Sequence, residues 1–275
     1  MVLLRVPPIS APKDNEILVF PGSRTDKTVG EIKREFDYRV WQKKGQVLFS
    51  QGRYEEALQA FDQSIQMNPK CAECWNGKGI ALALQGKYDE AIKAYDETIR
   101  LDPKYAKAWN NKGVALYGQS KFDEAIKAYD ETIRLDPKYA KAWNGKGIAL
   151  AAQGKLDDAI LAYDEAIRLD PKLVAAWNNK GNALDDQGKY DEAILAYDEA
   201  IRLDPKYAAA WYNKGVTLYG QSKFDEAIKA YDETIRLDPK NAMAWNEKGV
   251  ALHVLAKYDE ANAAFAKAKE LGYTG

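Results

Sequence analysis

At 275 residues the chain is long enough for one or two ordinary domains, and a hydrophobic content of 46% supplies ample apolar surface for burial. Forty basic against forty-one acidic side chains leave a net charge of -1, so nothing points to nucleic acid or an anionic membrane as partner. No apolar run spans a bilayer, Pro7 and Pro8 break the opening too early for a secretory signal, and two cysteines make no disulfide framework; the reading is a reducing cytoplasm.

The chain divides at about residue 37. Residues 1–27 carry four of the ten prolines and one short apolar run, Ile17-Leu18-Val19-Phe20, closed by Pro21-Gly22. Thr28 is placed to cap a helix through Glu31, Phe36 and Tyr38, following the Ser/Thr-x-x-Glu pattern. The leader, 1–37, either covers the first unit of a repeat array that begins at residue 38, or docks Glu16 to Phe20 as a mock ligand in a groove of its own or a neighbouring molecule. The second reading carries an expectation of self-association through this segment.

From residue 38 onward one pattern repeats. Trp41, Trp75, Trp109, Trp143, Trp177, Trp211 and Trp245 lie 34 residues apart, which divides 38–275 into seven units: 38–71, 72–105, 106–139, 140–173, 174–207, 208–241 and 242–275. In the unit 106–139, Trp109, Gly113 and Leu116 share one helical face. After a polar turn at Gly118 to Lys121, a second helix carries Phe122, Ala125, Ile126, Tyr129, Ile133 and Leu135 on its apolar side. Asp123 and Glu124 open that helix and Arg134 closes it, as the helix dipole favours. Asp136 is expected to cap the next helix with Pro137 at its first position. Gly113 lies mid-helix and Ala125 follows twelve residues later, which predicts two small residues facing each other where the helices approach.

Trp, Gly, Ala, an aromatic residue and Pro at these offsets resemble the tetratricopeptide repeat over residues 38–275. The resemblance implies an all-α chain, a right-handed α-α superhelix of seven helix-turn-helix repeats, acting as a protein-protein interaction adaptor. Two departures recur in every unit. Lys44, Lys78, Lys112, Lys146, Lys180, Lys214 and Lys248 replace the usual Leu before the Gly, and a Leu replaces the usual Tyr three residues after it. The lysine stems are expected to lie on apolar surface with their heads in water. In the last unit Asn262 stands where earlier units have Leu or Ile, and Lys269 where they have Ile, which reads as a water-facing end to the array.

Reactive groups do not converge. His253 is the single histidine, and Cys71 and Cys74 replace a Tyr and an Ala of sister units, so they read as packing residues rather than half of a zinc site. No enzyme activity, cofactor or metal is expected. There remains the face of each first helix opposite the Trp, which the resemblance places on the concave inside of the superhelix. One residue after the Trp lie Asn76, Asn110, Asn144, Asn178, Tyr212 and Asn246; two after it, Asn111, Asn179 and Asn213. Each carboxamide carries a donor and an acceptor. The resemblance implies that such a row holds the backbone of an extended protein or peptide ligand, while the residue-level alternative is local bonding to the preceding turn.

Tyr117 and Tyr219 line the same strip, with Gly118 and Gly220 expected to clear space beside their rings. Segments 113–138 and 215–240 differ only in Ala115 against Thr217, which offers the same surface twice. Lys107 and Lys141 sit toward the front with Arg39 and Lys43, and Asp185 and Asp186 toward the back, a gradient that would orient a ligand with acidic and basic portions. A carboxylate clamp of the kind that grips C-terminal tails is not matched. Asn182 falls in its column, but Asn213, Met243 and Glu247 come next instead of basic residues. Two other readings stay open: a structural or self-assembling scaffold using convex surfaces and ends, and a targeting subunit of a larger enzyme complex.

Overall fold

The computed structural model describes residues 29–274, with side chains from Asp37 onward. The leader 1–27 with its Glu16 to Phe20 segment, and the cap at Thr28, lie outside the described residues. Those described form an all-α chain of fourteen helices: α1 (Val29–Ser50), α2 (Tyr54–Met67), α3 (Ala72–Leu84), α4 (Tyr88–Leu101), α5 (Ala106–Gly118), α6 (Phe122–Leu135), α7 (Ala140–Ala152), α8 (Leu156–Leu169), α9 (Val174–Asp186), α10 (Tyr190–Leu203), α11 (Ala208–Gly220), α12 (Phe224–Leu237), α13 (Ala242–Val254) and α14 (Tyr258–Glu270). Each odd helix pairs with the even helix after it and packs on the even helix before it. Odd helices also touch one another, α1 with α3, α5 with α7, α11 with α13, whereas no two even helices among the described residues meet. The odd helices therefore stand on the inner side of the curve and the even helices on the outer, the arrangement of an α-α superhelix.

Packing within a hairpin differs in one detail from the small-on-small expectation. A Cβ added to Gly113 would lie 2.8 Å from the ring of Tyr129, and one on Gly147 only 2.5 Å from Tyr163. The glycine makes room for the aromatic ring of the second helix, not for the alanine. That alanine (Ala125, Ala159, Ala193 and their equivalents) is fully enclosed on its own account. The substituted leucines Leu82, Leu116, Leu184, Leu218 and Leu252 are likewise buried.

The turns inside the hairpins run through the left-handed region. Gly86, Gly154 and Gly188 have φ of +73°, +74° and +75°, and in three units non-glycine residues take the same place: Ser120 at +59°, Ser222 at +61° and Ala256 at +57°. The amide of Lys87 closes on the carbonyl of Leu82 at 3.0 Å, ending α3 as a left-handed residue after a helix allows. Between units the Asp-Pro pair does not cap the next helix. Asp136 ends α6, its Oδ1 accepts the amide of Lys138 at 3.1 Å, and α7 starts only at Ala140, after Tyr139. The aspartate side chain satisfies the turn itself, so it has no reach to the later helix.

Polar bridges join the units at fixed offsets. Nζ of Lys112 meets Asp96 at 2.6 Å and sits 5.4 Å from the centre of the Trp109 ring; Lys146 repeats this with Asp130 at 2.7 Å and Trp143 at 5.5 Å. Lys78, Lys180, Lys214 and Lys248 do the same with Asp62, Asp164, Asp198 and Asp232. The lysine head thus goes to a carboxylate of the preceding unit and a ring face rather than to open water. A second bridge runs from Nε2 of Gln119 to Asp89 at 2.7 Å, and recurs for Gln153, Gln187 and Gln221. At the first joint Glu55 replaces that aspartate and pairs with Lys87, and the buried amide of Gln85 has no partner beside an open surface cleft of about 320 Å³. In the last unit Asn262 and Lys269 face solvent.

The cysteines differ from their reading as separate packing residues. Both are buried, at 4% and 0% exposed, but their sulfurs are bonded to each other across the first turn of α3. Cys71 precedes α3 and its sulfur accepts the amide of Cys74 at 3.2 Å. The pair closes a short loop joining two residues on one side of a helical turn.

Candidate functional site in the inner surface

On the inner helices the residues one, two, five and eight positions after the Trp form the strip turned away from the hairpin core. The amides of the strip are largely bonded to each other. Nδ2 of Asn111 donates to Oδ1 of Asn76 at 3.1 Å, Asn179 to Asn144 at 3.1 Å, and Asn213 to Asn178 at 3.1 Å. Asn76 and Asn178 are only 8% and 4% exposed. Their carbonyls therefore serve the joint between units, an alternative to both sequence readings of the row. Where Gly145 takes the place of the donor, Asn110 is left half-buried and has no side-chain partner among the described residues. Asn246 is engaged from the other direction: its Nδ2 donates to the hydroxyl of Tyr273 and to Glu247, each at 3.2 Å.

Helix α5 presents the most open row. Lys107, Asn110, Val114 and Tyr117 follow each other at helical spacing, Val114 is 51% and Tyr117 37% exposed, and Lys107 makes no ion pair among the described residues. On α7 next to it, Lys141 is exposed and equally unpaired, with Asn144 half-buried behind it. Tyr117 leans on Phe122 at 5.5 Å between ring centres, and Tyr219 repeats this on Phe224 at 5.3 Å. The glycines beside them do not clear space for those rings as expected. A Cβ on Gly118 would strike Tyr88 of the preceding unit at 2.7 Å, and Gly220 faces open space.

The two near-identical segments are separated by their one difference. The hydroxyl of Thr217 donates to Asp185 at 2.6 Å, a bond that Ala115 cannot form. Around it, Asn182 accepts from Tyr197 at 2.9 Å and from Asn213 at 2.9 Å, a polar network across the joint of units five and six that the joint of units two and three, with Ile80 and Ala83 at the matching positions, cannot form. Tyr212 stands over Tyr231, 6.2 Å between ring centres, and burial followed by the nearby Glu247 and Tyr273 pushes its hydroxyl pKa up. Sequence reasoning missed Glu247 and Asn182 as site residues, because it judged them only against the tail-binding clamp. Among the described residues no helix is long and apolar enough to cross a membrane, and no group of three or more His, Cys, Asp or Glu is placed to hold a metal ion.

Family profiles described as tetratricopeptide repeat match residues 43–106, 110–173, 162–195, 208–241 and 230–261, and one described as TPR repeat matches 181–222. Among curated proteins none matches the chain in sequence. Of solved structures, MamA is similar at 30% identity, covering 58% of this chain and 93% of that one with a TM-score of 0.54. The anaphase-promoting-complex assembly Cut9-Hcn1 matches 78% of this chain and 43% of its own at 22% identity and TM-score 0.69. YrrB, described as a TPR protein with an unusual peptide-binding site, matches 72% of this chain and 98% of its own at 23% identity and TM-score 0.53. With profiles matching nearly every unit and fourteen helices in tandem hairpins, the chain belongs to the tetratricopeptide-repeat family.

Proposed function

We propose that this protein is an interaction adaptor that binds an extended peptide or protein tail along its inner surface, centred on units three and four. One observation carries the reading: on α5, Lys107, Asn110, Val114 and Tyr117 form an open row with a cation, an uncommitted amide and apolar surface, and Lys141 with Asn144 continues it on α7. Asn110 and Asn144 address the ligand backbone, Tyr117 and Val114 its side chains, and the two lysines its acidic groups. Asn111 and Asn179 act through the joints, and Tyr219 offers a second aromatic contact further along. YrrB, a peptide-binding member of the same fold, supports the mode but not the residues.

The test is a selection of displayed random peptides against the intact protein, followed by binding of the selected peptides to a Lys107→Ala/Asn110→Ala/Lys141→Ala variant. Affinity should drop while the thermal melt stays in place. Peptides that bind the variant as tightly as the parent remove the assignment.

A second reading, self-assembly through the outer surface, has its own support. Leu161 and Leu195 are 64% and 66% exposed on the outer helices α8 and α10, where α4, α6 and α12 carry Lys93, Lys127 and Lys229. An outward leucine on each of two successive outer helices is apolar surface that a single copy leaves uncovered. Light scattering of the parent and of Leu161→Lys/Leu195→Lys decides it. A monomer at every concentration ends that reading.

A further inference from the structure

The back half of the inner surface is chemically unlike the front. On α9, α11 and α13 every lysine is committed to an aspartate of the preceding unit: Lys180 to Asp164, Lys214 to Asp198, Lys248 to Asp232. Asp185, Asp186 and Glu247 on the same helices form no ion pair among the described residues. Three carboxylates on these inner helices thus have no cation of the described residues to answer them.

A second, independent observation lies at the joint of units six and seven. In unit five the hydroxyl of Tyr197 donates to Asn182 at 2.9 Å. One unit later Val216 replaces that asparagine, and Tyr231 is left 0% exposed with its hydroxyl unpartnered. Tyr212 and Tyr219 pack on the cluster that holds Tyr231, the Tyr212 ring 6.2 Å away, and burial first, then Glu247, Tyr212 and Tyr219, push that hydroxyl well above the usual tyrosine pKa. In unit seven the position is Phe265, so the fold itself tolerates the ring without the oxygen.

We propose that Glu247 with Tyr212, Tyr219 and Tyr231 forms the subsite for an arginine side chain of the ligand. The inference rests on the peptide-binding reading of units three and four and fixes the ligand's direction, with acidic residues toward Lys107 and Lys141 and the arginine toward the last unit. A guanidinium suits the site because its several N–H donors serve two acceptors at once. One oxygen of Glu247 already accepts from Asn246, and the other is left for the guanidinium. The phenol oxygen of Tyr231 is covered in this structure and accepts a further N–H once the Tyr212 ring beside it turns aside. The half-buried rings of Tyr212 and Tyr219 supply faces for a cation.

The experiment uses the full chain with isotope-labelled tyrosine rings, followed by NMR at low salt. The probe is the acetylated, amidated peptide Gly-Ser-Arg-Ser-Gly, compared with versions carrying lysine and the neutral isostere citrulline. The arginine peptide should shift the rings of Tyr212, Tyr219 and Tyr231 saturably, lysine less, and citrulline not at all. Glu247→Gln should weaken binding on the order of tenfold, as expected for losing a charge-assisted hydrogen bond. Tyr231→Phe should weaken it by a smaller factor with an unchanged melting curve. Equal binding of the citrulline peptide, an unaffected Glu247→Gln variant, or shifts confined to Tyr117 and Tyr129 overturns the subsite. A parallel titration with Gly-Ser-Glu-Ser-Gly against Lys107→Ala/Lys141→Ala tests the front. If that peptide binds there while the arginine peptide fails, only the subsite falls; if neither binds, the groove reading falls with it.

Discussion

Replacing Asn178 or Asn110 by alanine separates amides that hold the array together from those free to hold a ligand. Asn178 is 4% exposed and its Oδ1 accepts from Asn213 at 3.1 Å. Asn213 keeps its second acceptor, Asn182 at 2.9 Å, so Asn178→Ala removes one hydrogen bond without orphaning the donor. A net hydrogen bond is worth about 1 kcal/mol, and the small void left by the carboxamide adds a few tenths, so the expected loss is about 1–1.5 kcal/mol. Asn213→Ala removes both bonds and should cost about 2 kcal/mol. Asn110→Ala, with no internal partner, should change stability by less than about 0.5 kcal/mol.

Urea unfolding followed by far-UV circular dichroism reads these differences, with amide exchange across α9 to α11 to localise them, because a linear array need not unfold in one step. A double-mutant cycle of Asn178→Ala with Asn213→Ala should return a coupling above about 0.5 kcal/mol, beyond the usual error of additivity. If Asn178→Ala is as silent as Asn110→Ala and the cycle shows no coupling, the amide bridges contribute nothing. The inner row would then be uniform.

Ser120, Ser222 and Ala256 hold φ of +59°, +61° and +57°, where glycine is favoured, so each change to glycine should raise stability by up to about 1 kcal/mol, measured by thermal melts of the single and triple variants. Cys71 and Cys74 close a loop of sequence separation 3, so a thiol titration should find no free thiol before reduction, and reduction should cost about 2 kcal/mol. Burial pushes the hydroxyls of Tyr95, Tyr129, Tyr163, Tyr197 and Tyr231 well above their usual pKa. Above about pH 10 the unfolded chain therefore sheds protons that the folded one retains, and stability, full below that pH, falls as pH rises. Melting temperatures from pH 8 upward, with tyrosinate absorbance recorded in parallel, check this; rings that all ionise near their normal pH without loss of the fold refute it.

The helices and their pairing were legible because a 34-residue period has one stable reading: each unit buries its apolar face only against its neighbours. The joints were not read, although their signal was present. Asp62, Asp96, Asp130, Asp164, Asp198 and Asp232 recur with the same period as the lysines they meet, 16 residues later. Only the packing of each even helix on the odd helix that follows it makes these partners. The division within the amide row was hidden for a related reason. A carboxamide facing a groove and one facing the next unit differ by a single residue 35 positions on: Asn111, Asn179 and Asn213 close the bridge, and Gly145 leaves Asn110 open. Asp-Pro was misread because Asp136 has two competing acceptor roles, and the nearer amide of Lys138 wins.

Five of the six joints carry the same lysine and amide fastenings, or at the last one Lys257 in the amide's stead, so they resist bending alike. At the first, Gln85 grips nothing across the seam and Glu55 reaches past it to Lys87. The first joint, which keeps Lys78–Asp62 but lacks the amide bridge, is expected to yield before the other five when the array is bent.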